Sequence, residues 1–307
     1  MEKVKTIYLA GGCFWGLEEY FSEISGIISS TPGYANGKTE ETSYKELKDT
    51  DHAETVRVVY HTDIINLDWI LDYYFRVIDP ESVNKQGNDV GRQYRTGIYY
   101  TDPEDLQVIN AFIDKKKKSL DVKVEVEELK NFIIAEDYHI DYLKKNPGGY
   151  CHINLDTIPD DHMKDIDLKK LLSQEEYKVI KENGTDRAFS HELDDFYQKG
   201  IYLDKVSKKP LFLSTKKYNA GCGWPSFTKP INNWDLSYLE DRSLSRVRTE
   251  VRSYSSDSHL GHVFEDGPMS EGGLRYCING SALDFVPYED MEDLGLEKYM
   301  KLIDQED

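Results

Sequence analysis

Apolar residues in the first half of this 307-residue chain alternate between two spacings. Ile7 to Ala10 is a short continuous run, and Phe14, Leu17, Phe21 and Ile24 follow it at helical intervals. Thr55 to Tyr60 reads as a strand, and Leu67, Ile70, Leu71, Tyr74 and Ile78 mark one face of a helix. Gly97 to Tyr100 reads as another strand. Asp102 and Pro103 then open a helix that turns Leu106, Ile109 and Ile113 inward. Val122, Val124 and Val126 alternate with charges, as a half-solvated strand does. This rhythm predicts an α+β fold of two layers.

The pattern stops at residues 156–170, an acidic stretch that carries Pro159 and has no period, which we read as a linker. Beyond it, Ser173-Gln174-Glu175-Glu176 is a capping box opening a short helix that stops at Asn183-Gly184. A further helical turn is expected near Glu192 to Gln198. From Gly200 onward short apolar runs are broken by Gly, Pro, Asn and Ser, with few helix signals until Met291. Arg246 to Tyr254, Gly261 to Glu265 and Leu274 to Ile278 read as sheet, so this half is mostly β. The expected domains are 1–155 and 171–307, and no internal repeat relates them.

Composition narrows the function. Hydrophobic residues at 39% can fill two cores, and the formal charge is −19, from 38 basic and 57 acidic residues. No surplus of Lys and Arg is left for phosphates, which argues against nucleic acid or an anionic membrane as partner. The four cysteines, Cys13, Cys151, Cys222 and Cys277, form no C-x-x-C pair and are too few for a disulfide scaffold. Such widely spaced thiols suit redox or nucleophilic use inside the cell. The apolar stretch before Cys13 is too short for a secretory leader, and no run reaches membrane-spanning length. A cytoplasmic protein is expected.

Gly11-Gly12-Cys13-Phe14-Trp15-Gly16 places a cysteine where a strand meets a helix. A thiol there sees unpaired backbone N–H groups and the positive end of the helix dipole, so a thiolate near neutral pH is expected. Phe14 and Trp15 add apolar faces suited to an uncharged, methyl-bearing substrate. The string resembles the active-site signature of A-type peptide methionine sulfoxide reductases. Four further strings carry the resemblance over Val4 to Leu155: Gly33-Tyr34-Ala35-Asn36-Gly37 with Tyr44, His52-Ala53-Glu54, Gln86-Gly87-Asn88-Asp89 before Gln93-Tyr94-Arg95, and Asn146-Pro147-Gly148-Gly149-Tyr150-Cys151. The resemblance implies a ferredoxin-like two-layer sandwich. It makes Cys13 the nucleophile and Glu54 the acid at the sulfoxide oxygen. Tyr44, Tyr94 and Asp89 complete the polar side, and Cys151 is the resolving thiol. The chemistry suits these residue types, because a sulfoxide oxygen leaves only when protonated or strongly hydrogen-bonded. Some relatives carry another cysteine beyond the one matching Cys151, and the first domain of this chain has none. His139 and His152 read as structural.

The second half resembles the B-type reductases over Leu172 to Tyr288. The strings are Tyr218-Asn219-Ala220-Gly221-Cys222-Gly223-Trp224-Pro225-Ser226-Phe227, Asp257-Ser258-His259-Leu260-Gly261-His262-Val263-Phe264 and Arg275-Tyr276-Cys277-Ile278-Asn279. The resemblance makes Cys277 the nucleophile, Cys222 the resolving thiol, Trp224 the cradle of the substrate methyl group, and His259 and His262 the ligands of the oxygen. On a strand Arg275, Cys277 and Asn279 share one face, where Arg275 favours a thiolate. Many B-type members bind a structural zinc with two C-x-x-C pairs. Asp204, Ser207, Ser253 and Ser256 stand in those places here, so no metal and no other cofactor is expected.

Together the resemblances imply reduction of methionine sulfoxide, free or in oxidised proteins. The S epimer falls to the first domain and the R epimer to the second. Thioredoxin, as partner, would reduce the disulfides Cys13–Cys151 and Cys222–Cys277. A thiol peroxidase or disulfide reductase would need similar cysteines, but Phe14, Trp15 and Trp224 favour a methyl-bearing substrate. A non-catalytic module binding methionine-rich peptides would need no resolving thiol.

Overall fold

The apolar run before Cys13 becomes the middle of a sheet. The computed structural model describes residues 3–151, 153–155, 158–243 and 247–306. The chain divides into two units, Met1–Lys164 and Asp165–Asp307. In the first, β1 (Val4–Gly11), β2 (Ile27–Ala35), β3 (Ala53–His61), β4 (Thr96–Tyr100), β5 (Glu125–Glu128) and β6 (Phe132–Ile134) form one sheet in the order β5-β4-β1-β3-β2-β6. All neighbours are antiparallel except β4 and β5.

Ile7 and Leu9 of β1 and Val56 and Val58 of β3 recur every second residue, so they share one sheet face. They pack in one cluster with Leu17 and Phe21 of α1 (Phe14–Glu23), Ile70 and Tyr74 of α2 (Leu67–Val77), and Ile109 and Ile113 of α3 (Asp105–Lys116). Helices cover that face, which makes the expected two-layer α+β sandwich. Buried Tyr74 donates its hydroxyl to the Ala10 carbonyl at 2.5 Å and pins β1 just before Cys13. The pairs Ala10↔Thr55 and Tyr34↔Glu54 set Glu54 near that end of β1.

Several boundaries differ from the sequence pattern. Asp102 makes a turn instead of a cap: its Oδ1 accepts the Glu104 N–H at 2.9 Å, and the helix starts at Asp105. Only Glu125–Glu128 of the valine-rich stretch pairs in the sheet. In the stretch read as a linker, Asp161–Asp165 forms a short 3-10 helix whose His162 is buried in the first unit. His162 Nε2 lies 2.9 Å from the Ser25 carbonyl and Nδ1 2.8 Å from the Tyr73 hydroxyl. Asp156, Thr157, His152 and Arg246 lie outside the described residues.

The second unit opens with α4 (Gln174–Lys181), capped by the expected Ser173/Glu176 box. Residues 192–195 are turns and form no helix. Strands β7 (Gly200–Asp204), β8 (Pro210–Leu213) and β14 (Leu283–Pro287) form a three-stranded sheet in the order β8-β7-β14. A five-stranded antiparallel sheet has the order β9-β13-β12-β11-β10. It comprises β9 (Ser226–Phe227), β10 (Leu236–Asp241), β11 (Arg248–Ser253), β12 (His259–Phe264) and β13 (Arg275–Ile278). Aromatic rings join the sheets: Phe227 stacks on Phe212 at 4.4 Å and meets Tyr202 edge-on at 5.0 Å. The closing helix α5 spans Glu297–Glu306, six residues beyond the signal at Met291. No helix among the described residues is long and apolar enough to cross a membrane.

Candidate active sites

β1 turns into α1 through Gly12, whose φ of +84° suits glycine. Cys13 is then the N-cap of α1, with extended backbone. It is buried, and burial pushes its thiol up, reinforced by the neighbouring Glu54 and opposed by the Trp15 backbone N–H. This corrects the expectation of a thiolate near neutral pH. The helix terminus does lower the thiol, but loss of water outweighs it.

Glu54 is 2% exposed. Its Oε2 accepts the Phe14 backbone N–H at 3.2 Å, and its Oε1 has no partner among the described residues. Burial raises its pKa to about 8, against the pull of that N–H and with a further push from Asp89. At neutral pH it is a carboxylic acid.

Tyr44 and Tyr94 lie close enough to influence each other electrostatically, and both phenols are pushed up by burial and by nearby Glu54. Asp89 follows the tight turn Gln86-Gly87-Asn88 and acts electrostatically on both Glu54 and Cys13. Burial and the nearby Asp89 push the Tyr150 phenol up. Cys151, next in sequence, is half-buried and donates its thiol to the Ile153 carbonyl at 3.2 Å. The first unit therefore gathers all of its expected residues around the start of α1.

Phe14 and Trp15 sit in an aromatic wall that the sequence reading passed over. His139 lies at its centre, 2% exposed. Its ring centroid is 5.1 Å from Phe14 and 4.8 Å from Tyr44. Trp15 donates Nε1–H to His139 Nδ1 at 3.0 Å and stacks on Tyr142 at 3.7 Å. The donated bond leaves the imidazole proton on Nε2, which is buried with no partner among the described residues. The clustering of Tyr138, His139 and Tyr142 in a short polar segment was the available signal.

In the second unit a bulge builds the site. Val251 pairs with Gly261 but Arg252 pairs with His259, so β12 carries one extra residue. Residues three apart on a regular strand face opposite ways; the bulge brings the His259 and His262 rings to 5.6 Å. Gly261, with φ of +155°, permits it, since a Cβ there would lie 2.2 Å from the Cys277 carbonyl oxygen. Each imidazole has a carboxylate partner: His259 Nδ1 to Glu250 at 2.6 Å and His262 Nε2 to Asp241 at 2.8 Å. Burial lowers both imidazole pKa values despite these partners, so at neutral pH the rings are neutral.

Cys277 on β13 pairs in register with His262 on one side and Ser226 on the other. Its sulfur lies 3.7 Å from that of Cys222. Hydrogen bonds from Cys277 and Ser226 hold Cys222 down to about 5 against burial, while Cys277 is pushed up by donating to Cys222 and by burial. Arg275 does pull Cys277 down, as expected, but the donated hydrogen bond outweighs it. Of the two thiols, Cys222 is the one held low. Arg275 is itself held by Asp266 through two bonds of 2.8 and 2.9 Å.

Trp224 is fixed by its Nε1–H on the Asp186 carbonyl at 3.0 Å. Asn279 lies two residues beyond Cys277. It follows the end of β13, is buried, and spends its amide on the Leu260 carbonyl at 3.1 Å and the Asp186 N–H at 2.9 Å. Its observed contacts position β12 and the Asp186 segment.

The four residues in the places of zinc cysteines satisfy one another. Asp204 Oδ2, fully buried, accepts the hydroxyls of Ser207, Ser253 and Ser256 at 2.5, 2.6 and 2.5 Å. One carboxylate and three neutral hydroxyls do not fit zinc, which wants thiolates and imidazoles. No group of three or more His, Cys, Asp or Glu side chains among the described residues could hold a metal ion.

Residues 5–171 match the family described as peptide methionine sulfoxide reductase, and residues 172–287 match the SelR domain. Among solved structures, reduced Mxr1 from Saccharomyces cerevisiae is 36% identical over 50% of this chain and 92% of its own, with a TM-score of 0.48. Methionine sulfoxide reductase A of Corynebacterium diphtheriae is 32% identical over 49% of this chain and 79% of its own, with a TM-score of 0.47. A structure of the yeast protein in complex with Trx2 is 28% identical over 46% and 86%, with a TM-score of 0.34.

Proposed function

The chain belongs to the peptide methionine sulfoxide reductases, with a SelR domain fused behind the first reductase domain, and from that premise we propose how its two sites divide and perform the reaction. The first site reduces the S epimer and the second the R epimer. Inverting the sulfur exchanges oxygen and a carbon substituent about the line of attack, so one rigid pocket serves only one epimer well.

Glu54 carries the reading for the first site: a carboxylic acid still protonated at neutral pH, with one oxygen unpartnered, beside a cysteine at a helix start. It gives its proton to the sulfoxide oxygen while Tyr44 and Tyr94 donate hydrogen bonds. The Cys13 thiol proton replaces the one Glu54 gave, and the sulfur attacks. The S–O bond of the substrate breaks, methionine leaves, and Cys13 becomes a sulfenic acid. A thiol held at high pKa is a strong nucleophile once deprotonated, so its poor resting ionisation does not exclude this role. Phe14 and Trp15 enclose the methyl group.

At the second site Cys222, the lower thiol of the pair, takes the proton of Cys277 in its ionised form as Cys277 attacks. His259 and His262, when protonated, supply the sulfoxide oxygen's proton, and Trp224 covers the methyl group. In each unit the partner thiol, Cys151 or Cys222, then condenses with the sulfenic acid, releasing water. An external dithiol such as thioredoxin must reduce the resulting disulfide. Four free thiols and this cycle suit a reducing compartment, the cytoplasm, and the repair of oxidised proteins. Resolved sulfoxide epimers test the division. Cys13→Ser should lose S-epimer reduction alone and Cys277→Ser R-epimer reduction alone; loss of both activities in either folded variant would refute it.

A further inference from the structure

α1 breaks a local preference in its first turn. Gly16 has ordinary helical backbone, with no positive φ to call for glycine, and a helical glycine is less stable than alanine. The space where its side chain would sit is filled. A Cβ on Gly16 would stand 2.7 Å from Cys151 Sγ and 3.3 and 3.4 Å from Ile153 Cδ1 and Cγ1. The same turn carries the other sulfur: Cys13 is the N-cap, and its thiol feels both the Trp15 backbone N–H and Cys151 electrostatically. The N-cap and the third helical position are neighbours on one side of a helix. Both sulfurs therefore lie over the first turn of α1.

We propose that Gly16 is a positioning residue for the second chemical step: its bare Cα is the seat that holds the Cys151 thiol beside Cys13. This rests on the reading of Cys151 as the resolving thiol. Burial keeps Cys151 protonated in the seat, where its thiol donates to the Ile153 carbonyl at 3.2 Å. Once Cys13 carries the sulfenic acid, the S–S bond forms between Cys13 and Cys151 and the S–O bond on Cys13 breaks. The Cys151 proton leaves with the hydroxyl as water, so no further oxidant is required. Proximity makes this step effectively unimolecular, and a displacement of about 1 Å costs on the order of 10²-fold in rate.

Full-length Gly16→Ala tests the seat in a single turnover on the S epimer, with methionine release and loss of free thiol followed separately. Methionine release should keep its rate while disulfide formation slows by on the order of 10²-fold, with the sulfenic acid accumulating to be trapped by dimedone. Parent-like disulfide formation, or an equal fall in both steps, overturns the proposal. Melting temperatures provide a second check that needs no activity. Gly16→Ala should lower the melting temperature when Cys151 is present and leave or raise it in a Cys151→Ala background; equal shifts in both backgrounds overturn the seat. Cys151→Ser, run in parallel, should block disulfide formation. If it recycles normally, the resolving role itself fails, separately from the seat.

Discussion

Replacing Glu54 with glutamine should stabilise the first unit while disabling it. Burial holds the carboxyl near 8 in the folded chain against an ordinary 4.5, and the residue is almost wholly out of water. Below about pH 4.5 folded and unfolded chains both carry the proton, and the site has no pH-dependent cost. Between there and pH 8 the unfolded chain ionises and the folded one does not, so stability falls by about 1.4 kcal/mol per pH unit. The cost reaches about 3 kcal/mol at pH 7 and levels near 5 kcal/mol above pH 8. Glutamine has the same shape, still accepts the Phe14 N–H, and does not titrate. Glu54→Gln should therefore gain about 3 kcal/mol over the parent at pH 7 and nothing near pH 4. S-epimer reduction should fall by about 10²–10⁴-fold, the usual worth of a positioned general acid. Denaturant titrations of both proteins across this pH range, paired with the epimer assay, read the two effects. A stability difference that does not vary with pH, or S-epimer turnover near the parent level, would refute a buried protonated acid.

Single-turnover profiles taken with rising pH should separate the two sites: S-epimer reduction declines only above about pH 8 as Glu54 ionises, whereas R-epimer reduction declines earlier, because burial lowers both imidazole pKa values and the rings lose their protons first. Coincident profiles would remove either assignment. In the reduced protein at pH 7, limited alkylation followed by peptide mapping should find Cys222, held near 5, modified well before Cys277; preferential labelling of Cys277 would reverse the assignment of charge. Asp204→Ala should destabilise the second unit by about 2–3 kcal/mol, since the buried hydroxyls of Ser207 and Ser253 and the half-buried hydroxyl of Ser256 lose their shared acceptor. Elemental analysis of the purified parent should find no stoichiometric zinc, and one tightly held zinc per chain would overturn that reading.

The two textures of the chain, most strands and helices, and the cysteines with their near neighbours were legible in the order of the amino acids. Those features are local. Apolar spacing sets which residues can share a face, and Ser173/Glu176 caps a helix with groups only three residues apart. Glu54, Tyr44, Tyr94 and Asp89 were legible only through resemblance, because nothing in their spacing announces that β3 and two separate turns meet at Cys13. Tertiary structure decided the electrostatics. A helix start alone argues for a thiolate at Cys13, yet the water removed by the surrounding core reverses the sign. Arg275 two residues from Cys277 likewise argues for a thiolate there, until register with Ser226 and the 3.7 Å approach of Cys222 make Cys222 the lower thiol of the pair. His139 joined the first site because Trp15, Phe14 and Tyr44 converge on it from other segments. His259 and His262 share a face only because β12 bulges at Gly261. Desolvation and long-range register depend on which distant segments meet, and a residue's sequence neighbours do not specify that.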